Sequence, residues 1–384
     1  MTSETGSFAE FTIRIRKPEI LRNVLNDNEY PTEIVQALES FDQEITSGPV
    51  QLLTEDAPDC DYWNEVIQPY SGQPWTDIPW FMAEAYFYRR VLEAVRYFQP
   101  GAWQGVDPYG KVKQQQTQSD LEKFAPIWEQ VCEIAPEERF DMLLHSALWG
   151  NRADLSSNLN LKASAAGGLA VSAEQHLILV DHTRAVRQLL QDGVERVDFI
   201  NDNVGLDIIF DMALADHLLQ QGWVRKVVFH LKDKPMFVSD AMIKDAQRTL
   251  AALRKADSRV LRELGERLST ALLEDRFVLL EDFFWTSDKM FTAIPEHLMV
   301  ELQRSDLILV KGDANYRRVF EDRHWPIHTP AEDVPPSLPR PFVLLRALKS
   351  EIVLGLQPGL DQTLDAEDDT WMVNGRRGLI HLVK

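Results

Sequence analysis

Two adjacent polar residues, Asp202 and Asn203, stand where an apolar run (Val197, Phe199, Ile200) stops. After Gly205 a helix-spaced run begins: Ile208, Ile209, Met212, Leu214, Ala215. Ser239-Asp240 follows the run VVFHLKDKPMFV, and Lys311-Gly312-Asp313 follows DLILV. Parallel strands bring their carboxyl ends to one edge, where open α/β proteins place ligands, so these groups are expected to converge. Two carboxylates and a carboxamide are hard oxygen donors, suited to Mg²⁺, Mn²⁺ or a related divalent ion. Lys311, with Gly312 allowing close backbone approach, reads as a phosphate clamp. A metal and a lysine at a dry sheet edge suit phosphoryl transfer, whose main catalytic demand is stabilising charge on phosphate oxygens. Each piece also has a plainer reading: Asp-Asn before a glycine is a common turn, Ser-Asp a common N-cap, Lys-Gly-Asp a common loop. Their joint occurrence after successive strands points to a metal site, and spacing alone leaves the substrate open. Asp207 either orients a ligand from behind or favours the helix N-terminus electrostatically.

The elements that must position these groups are legible as a rhythm. From about Gln175, strand-like and helical runs alternate: His176 to Val180, Thr183 to Gln191, Val197 to Asn201, Leu206 to Gln221, Val224 to Leu231. Further strands are expected at Asp306 to Val310, Phe342 to Leu345 and Gly378 to Val383, and Asp245 to Asp275 reads as a charged, solvated helical region. This predicts an α/β protein: a Rossmann-like three-layer α/β/α domain with a mostly parallel sheet, preceded by an N-terminal helical domain. The expected division is a mainly helical domain over 1–156 and a metal- and phosphate-binding α/β domain over 157–384. In the helical part, Glu84 and Arg90 lie in the segment Trp80 to Val91, where they either reach a ligand or form the charged edge of an aromatic helix. A later helix ends at Trp149-Gly150, and Asn151 and Asp154 are further candidates that the helical part would contribute.

Composition narrows the function classes. The chain has 384 residues, 45% of them hydrophobic, enough for a large core. Asp and Glu number 60 against 40 Lys and Arg, a formal charge of -20, so no global field attracts nucleic acid or an anionic membrane. An anionic substrate must be held locally. Two cysteines in no metal-binding pattern suit a reducing cytosol. No apolar run approaches the roughly 20 residues that span a bilayer. The expectation is a cytoplasmic protein, a monomer or weak oligomer, with a small phosphorylated metabolite as its partner.

Seven ordered motifs carry a resemblance over nearly the whole chain: WFMAEAYFYRR, LWGNRADLS, DFINDNVGLDIIFDMALAD, KPMFVSD, LVKGDANYRR, LRALKS and WMVNGRRGLIHL. The chain resembles the damage-control phosphatases (domain of unknown function 89), within the sugar-phosphate phosphatase and acidic-residue methyltransferase subgroup, subfamily III. The resemblance implies a metal-dependent phosphatase with Asp202, Asn203 and Asp240 as metal ligands and catalytic residues. It implies Mn, Co, Ni or Mg as the ion, and substrates such as fructose 1-phosphate or fructose 6-phosphate. The substrate loop corresponds to Lys311, Asp313, Asn315 and Arg317, and the subgroup's Arg-Thr-x-Lys signature to Arg346-Ala347-Leu348-Lys349, with Ala347 departing from it. Glu84, Arg90 and Asn151 complete the expected substrate contacts. The nucleophile, water activated by the metal or the Asp202 carboxylate, stays open.

Two alternatives belong to other classes. One is S-adenosylmethionine-dependent methylation of protein carboxylates (glutamate), weakened because no strand run leads into a glycine-rich turn that would hold such a cofactor. The other is a non-catalytic sugar-phosphate-binding protein.

Overall fold

A computed structural model describes residues 7–150, 175–335, 337–339 and 341–384. The chain divides into two compact units: Met1–Gln114 with Lys234–Asp240 and Thr286–Asp288, and Gln115–Asp233 with Ala241–Trp285 and Lys289–Lys384. The first unit ends well before residue 156. The physical reason is that the helix Pro136–Trp149 and the residues of the helix Gly110–Val131 beyond Gln114 bury Phe124, Trp128, Leu143 and Leu144 in a core shared with the sheet.

The first unit is helical, with helices Lys17–Asp27, Thr32–Ser47, Cys60–Ile67 and Trp80–Ala94. Its core is aromatic, and Trp75 stacks on Tyr86 with ring centroids 5.7 Å apart. Met236 is buried in the same cluster and Phe237 packs against it, so the segment Lys234–Asp240 belongs here.

The second unit holds a seven-stranded sheet: β1 (Ile178–Asp181), β2 (Val194–Ile200), β3 (Val224–Lys232), β4 (Phe277–Asp282), β5 (Leu307–Lys311), β6 (Phe342–Ala347) and β7 (Gly378–Val383). The order is β1-β7-β6-β5-β2-β3-β4. β2 to β6 run parallel, β7 is antiparallel to β6, and β1 is parallel to β7. Alternation along each strand feeds two cores: Val197, Phe199, Leu307 and Leu309 face one, Ile200, Ile308 and Val310 the other. This is the expected mostly parallel three-layer α/β arrangement, in a chain whose N-terminal region is helical. β4 carries no sequence expectation, although its run FVLLED is strand-like. β3 stops at Lys232, and VVFHLKDKPMFV is not one strand because Pro235 has no N–H for a ladder. The chain leaves the sheet there and returns at Ala241, whose carbonyl accepts from the Lys232 N–H at 3.0 Å.

The helix Leu206–Gln220 is buried from Leu206 to Leu219, its apolar residues interrupted by Asp207, Asp211, Asp216 and His217, which must find partners inside. Chain connections move from β2 outward to β3 and β4, then come back to β5 on the other side of β2. The order therefore reverses between β2 and β5, which makes their carboxyl ends the switch point where such sheets bind ligands.

Two imidazoles report on this unit's packing. Burial lowers His217 and His381 each to about 4, reinforced by Arg139 for the first and His182 for the second. Between pH 4 and the unfolded value near 6.5 the unfolded chain binds more protons, so stability falls as pH drops through that window. The loss reaches about 3 kcal/mol per ring at pH 4. Urea midpoints across pH 4 to 7 should show it, and His381→Gln should flatten the fall; an unchanged slope in that variant would contradict the burial.

Candidate active site

Gly312 follows β5 at the switch point. Its φ is +87°, and a Cβ there would stand 2.1 Å from Asp202 Oδ2, so only glycine lets the Asp202 carboxylate lie against this backbone. Asp202 itself follows β2 by two residues, and its carbonyl accepts the Ala241 N–H at 2.9 Å. Ala241 is the residue after Asp240. Asp240 is described with the first unit, where its carbonyl accepts from Lys113 Nζ at 2.7 Å.

Asn203 Nδ2 donates to Asp202 Oδ2 at 2.6 Å and to Asp207 Oδ2 at 3.2 Å. The carboxamide is thus held between two acids by its nitrogen. Asp207 also accepts the Asn203 backbone N–H at 3.2 Å and, through Oδ1, a 2.6 Å bond from Lys311 Nζ.

Lys311, expected as a phosphate clamp, has its ammonium engaged within the protein. It closes β5 on the face of Leu307 and Leu309, and that parity carries its side chain to the helix Leu206–Gln220. There its three donors meet Asp207 Oδ1 (2.6 Å), Asp211 Oδ1 (2.6 Å) and the Ala147 carbonyl (2.7 Å). Burial would lower this ammonium, but the two carboxylates prevail and raise it. Burial raises Asp211 to about 7, with the neighbouring Asp207 charge adding to it and Lys311 opposing. Asn201 Nδ2 donates to Asp211 Oδ2 at 2.9 Å.

The start of the helix Leu206–Gln220 is closed to an anion. Asp120 Oδ2 accepts the Leu206 N–H at 3.1 Å, and Gly205, at φ +74°, permits that approach because a Cβ would lie 2.4 Å from the same oxygen. Four carboxylates (Asp120, Asp202, Asp207, Asp211) lie about the first two turns; Lys311 pairs with Asp207 and Asp211, and the half-exposed Lys123 pairs with Asp120. Buried negative charge carried by hard oxygen donors fits a divalent cation. Among the described residues no three of His, Cys, Asp and Glu form a metal-ligating group, so a cation here would need the Asn203 carboxamide among its donors.

On the opposite face of the sheet, Asp313 Oδ1 accepts from Arg346 Nε (2.7 Å), Ser350 Oγ (3.1 Å) and the Lys349 N–H (3.2 Å). Burial would raise Asp313, but Arg346 and Arg317 hold it below the usual range. Arg346 is fully buried, lies 4.0 Å over the Tyr316 ring, and bonds the carbonyls of Ser350 and Ile352, so it orders this loop rather than facing a phosphate. Arg317 pairs with Asp322. Lys349 is half-buried with its chain passing Gly375. Asn315 Nδ2 donates to the Lys311 carbonyl at 2.8 Å, while its Oδ1 is buried without a hydrogen-bond partner among the described residues.

Glu84 and Arg90 are engaged inside the first unit. Glu84 accepts from the buried Lys17 at 2.6 Å, and Arg90 forks onto Glu44 at 2.9 and 3.0 Å. An aromatic helix interior must neutralise its charges in pairs, which explains both. Asn151 and Asp154 lie outside the described residues. Sequence reasoning missed Asp211, Asn201 and Asp120. Asp211 carries a readable signal: it lies four residues after Asp207 on a helix otherwise apolar there, and buried acids need partners. Asp120, in a polar helix, carries none.

An open, doubly wound sheet with an acid-rich cluster at its switch point defines a ligand-binding α/β protein. The damage-control phosphatase ARMT1-like domain model matches residues 12–364, and the chain belongs to that family. It is 33% identical to a damage-control phosphatase ARMT1 of Danio rerio, over 98% of this chain and 94% of the relative. Identity is 30% to the Xenopus tropicalis protein of the same name (98% and 96% covered) and 28% to the human one (98% and 96%). A solved DUF89 family protein from Pyrococcus horikoshii shares the fold at 13% identity, with a TM-score of 0.50 and 97% and 99% of the two chains covered. No helix among the described residues is long and apolar enough to cross a membrane.

Replacing Lys311 by methionine strands two buried acids. The expected cost is about 3–5 kcal/mol of unfolding free energy, the range for breaking a buried pair. Urea denaturation measures it, and a loss under about 1 kcal/mol, the range of exposed ion pairs, would mean that the ammonium is solvated.

Proposed function

We propose that this chain is a metal-dependent phosphatase of small phosphorylated metabolites, with sugar phosphates such as fructose 1-phosphate or fructose 6-phosphate as the substrate class. The observation that carries the metal is the surplus of carboxylates around the first turn of the helix Leu206–Gln220. Asp202, Asn203 and Asp240 would hold the ion, for which Mn, Co, Ni and Mg are the candidates. Such an ion supplies a Lewis acid that polarises the phosphoryl group and offsets its charge.

The chain's own residues do the rest. Asp207 and Lys311 fix the Asn203 amide, so that its oxygen is presented without reorganisation. Lys349, in the loop after β6, and Arg317, on the helix Asp313–Val319, are the cations assigned to the phosphate oxygens, with the Asp313–Arg346 pair holding that loop against the start of that helix. The buried, unmatched Oδ1 of Asn315 suits a hydroxyl donor, which a sugar provides and an alkyl phosphate lacks. The family membership supports the phosphatase reading.

The test is phosphate release from a panel of sugar phosphates and alkyl phosphates. Chelation should abolish release, one of the four metals should restore it, and Asp202→Ala or Asp240→Ala should lower kcat by about 100-fold or more. Turnover that survives chelation, or full activity in either variant, would overturn the proposal.

A further inference from the structure

Immediately before Ser239-Asp240, two consecutive non-glycine residues adopt the left-handed region, Phe237 at φ +47° and Val238 at φ +63°. A β-branched residue there is a steric outlier, because its Cβ crowds the backbone and its χ1 has little freedom to yield. Asparagine or glycine would occupy such a turn with less strain. The turn is nevertheless firmly held within its unit. The Phe237 ring packs 5.1 Å from Tyr88 and 6.3 Å from Phe81, and Met236 is buried in the same core. The Ser239 N–H donates to the Phe237 carbonyl at 2.7 Å and the Asp240 N–H to the Met236 carbonyl at 3.3 Å. The Asp240 carbonyl then accepts from the buried Lys113 at 2.7 Å. Asp240 is thus fixed on both sides of its own Cα.

We propose that the Phe237-Val238 turn is a strained device that positions Asp240, with Val238 as the positioning residue and the Phe237 ring as its anchor. The inference rests on the reading of Asp240 as a metal ligand. Strain persists only where the surroundings over-determine it, and aromatic packing on one side with Lys113 on the other does so here. What the strain secures is a single backbone path into Asp240: glycine at 238 would relax the turn and open alternative paths, whereas asparagine would keep the left-handed conformation at lower cost.

Three variants separate the possibilities, read by the thermal midpoint of the metal-free protein and by calorimetric Mn²⁺ affinity. Val238→Asn should raise the midpoint and keep wild-type affinity. Val238→Gly should lower the midpoint less than a core substitution such as Phe237→Ala does, yet weaken Mn²⁺ binding by about 10-fold or more, as loss of a ligand's support does. Asp240→Ala should abolish binding. Wild-type affinity in Val238→Gly alongside lost binding in Asp240→Ala would overturn this inference and leave the metal reading standing. A fall in midpoint with Val238→Asn would also overturn it, since an unstrained valine is then in place. Wild-type affinity in Asp240→Ala would refute the ligand assignment itself.

Discussion

The ammonium of Lys311, buried between Asp207 and Asp211, is the interaction on which the second unit's active edge depends. It joins the end of β5 to the helix Leu206–Gln220, and its third bond, to the Ala147 carbonyl, reaches the last turn of the helix Pro136–Trp149. The final four carbonyls of a helix have no partner within it, and a cation there also meets the negative end of the dipole. One side chain therefore ties three elements. The desolvation of three charges opposes the fold, and short, fully matched bonds are what make such a cluster tolerable. Its value is geometric: Asp207, once fixed by Lys311, fixes the Asn203 amide.

Electrostatics at this edge run counter to what a phosphate would want. Helix N-termini commonly receive anions, but here Asp120 occupies the Leu206 N–H. With Asp202, Asp207 and Asp211 close by, the local field repels a phosphate unless a cation intervenes. Protonation of Asp211, raised by its burial, would reduce that excess without removing it. The cations proposed for the anion lie elsewhere, Arg317 on the helix Asp313–Val319 and Lys349 in the loop after β6, so on that proposal cation and anion would be met by separate sets of side chains.

Much of the fold was readable because strand alternation and helical spacing are local signals. The polar pair Asp202-Asn203 just beyond β2 and the glycine that β5 delivers at 312 follow from them. The internal partners of Lys311 and Arg346 were not foreseen, for one reason. Both close strands, and parity alone says that Lys311 shares a face with Leu309, and Arg346 with Leu344, so each points into a core layer. Counting by two would have predicted a buried partner for each. Asp240 was read as following a strand, because Pro235 was not weighed against the apolar run VVFHLKDKPMFV. β4 was missed because a charged helical region was extended up to its threshold. The helices after Gln114 read as part of the helical domain since nothing local tells a helix which sheet it will cover.

Gly312 stands between two locks that face opposite layers. Lys311 on one side pairs with Asp207 and Asp211, and Asp313 on the other pairs with Arg346. Each lock is drawn from a different element, the helix Leu206–Gln220 for the first and β6 for the second. A residue flanked by two buried charge clusters cannot shift toward either face without straining short hydrogen bonds in both. The Asp202 carboxylate lies against that residue with no room for even a methyl group. Its position is therefore set indirectly, by pairs it does not touch, and a change in either lock must reach it through the Gly312 backbone.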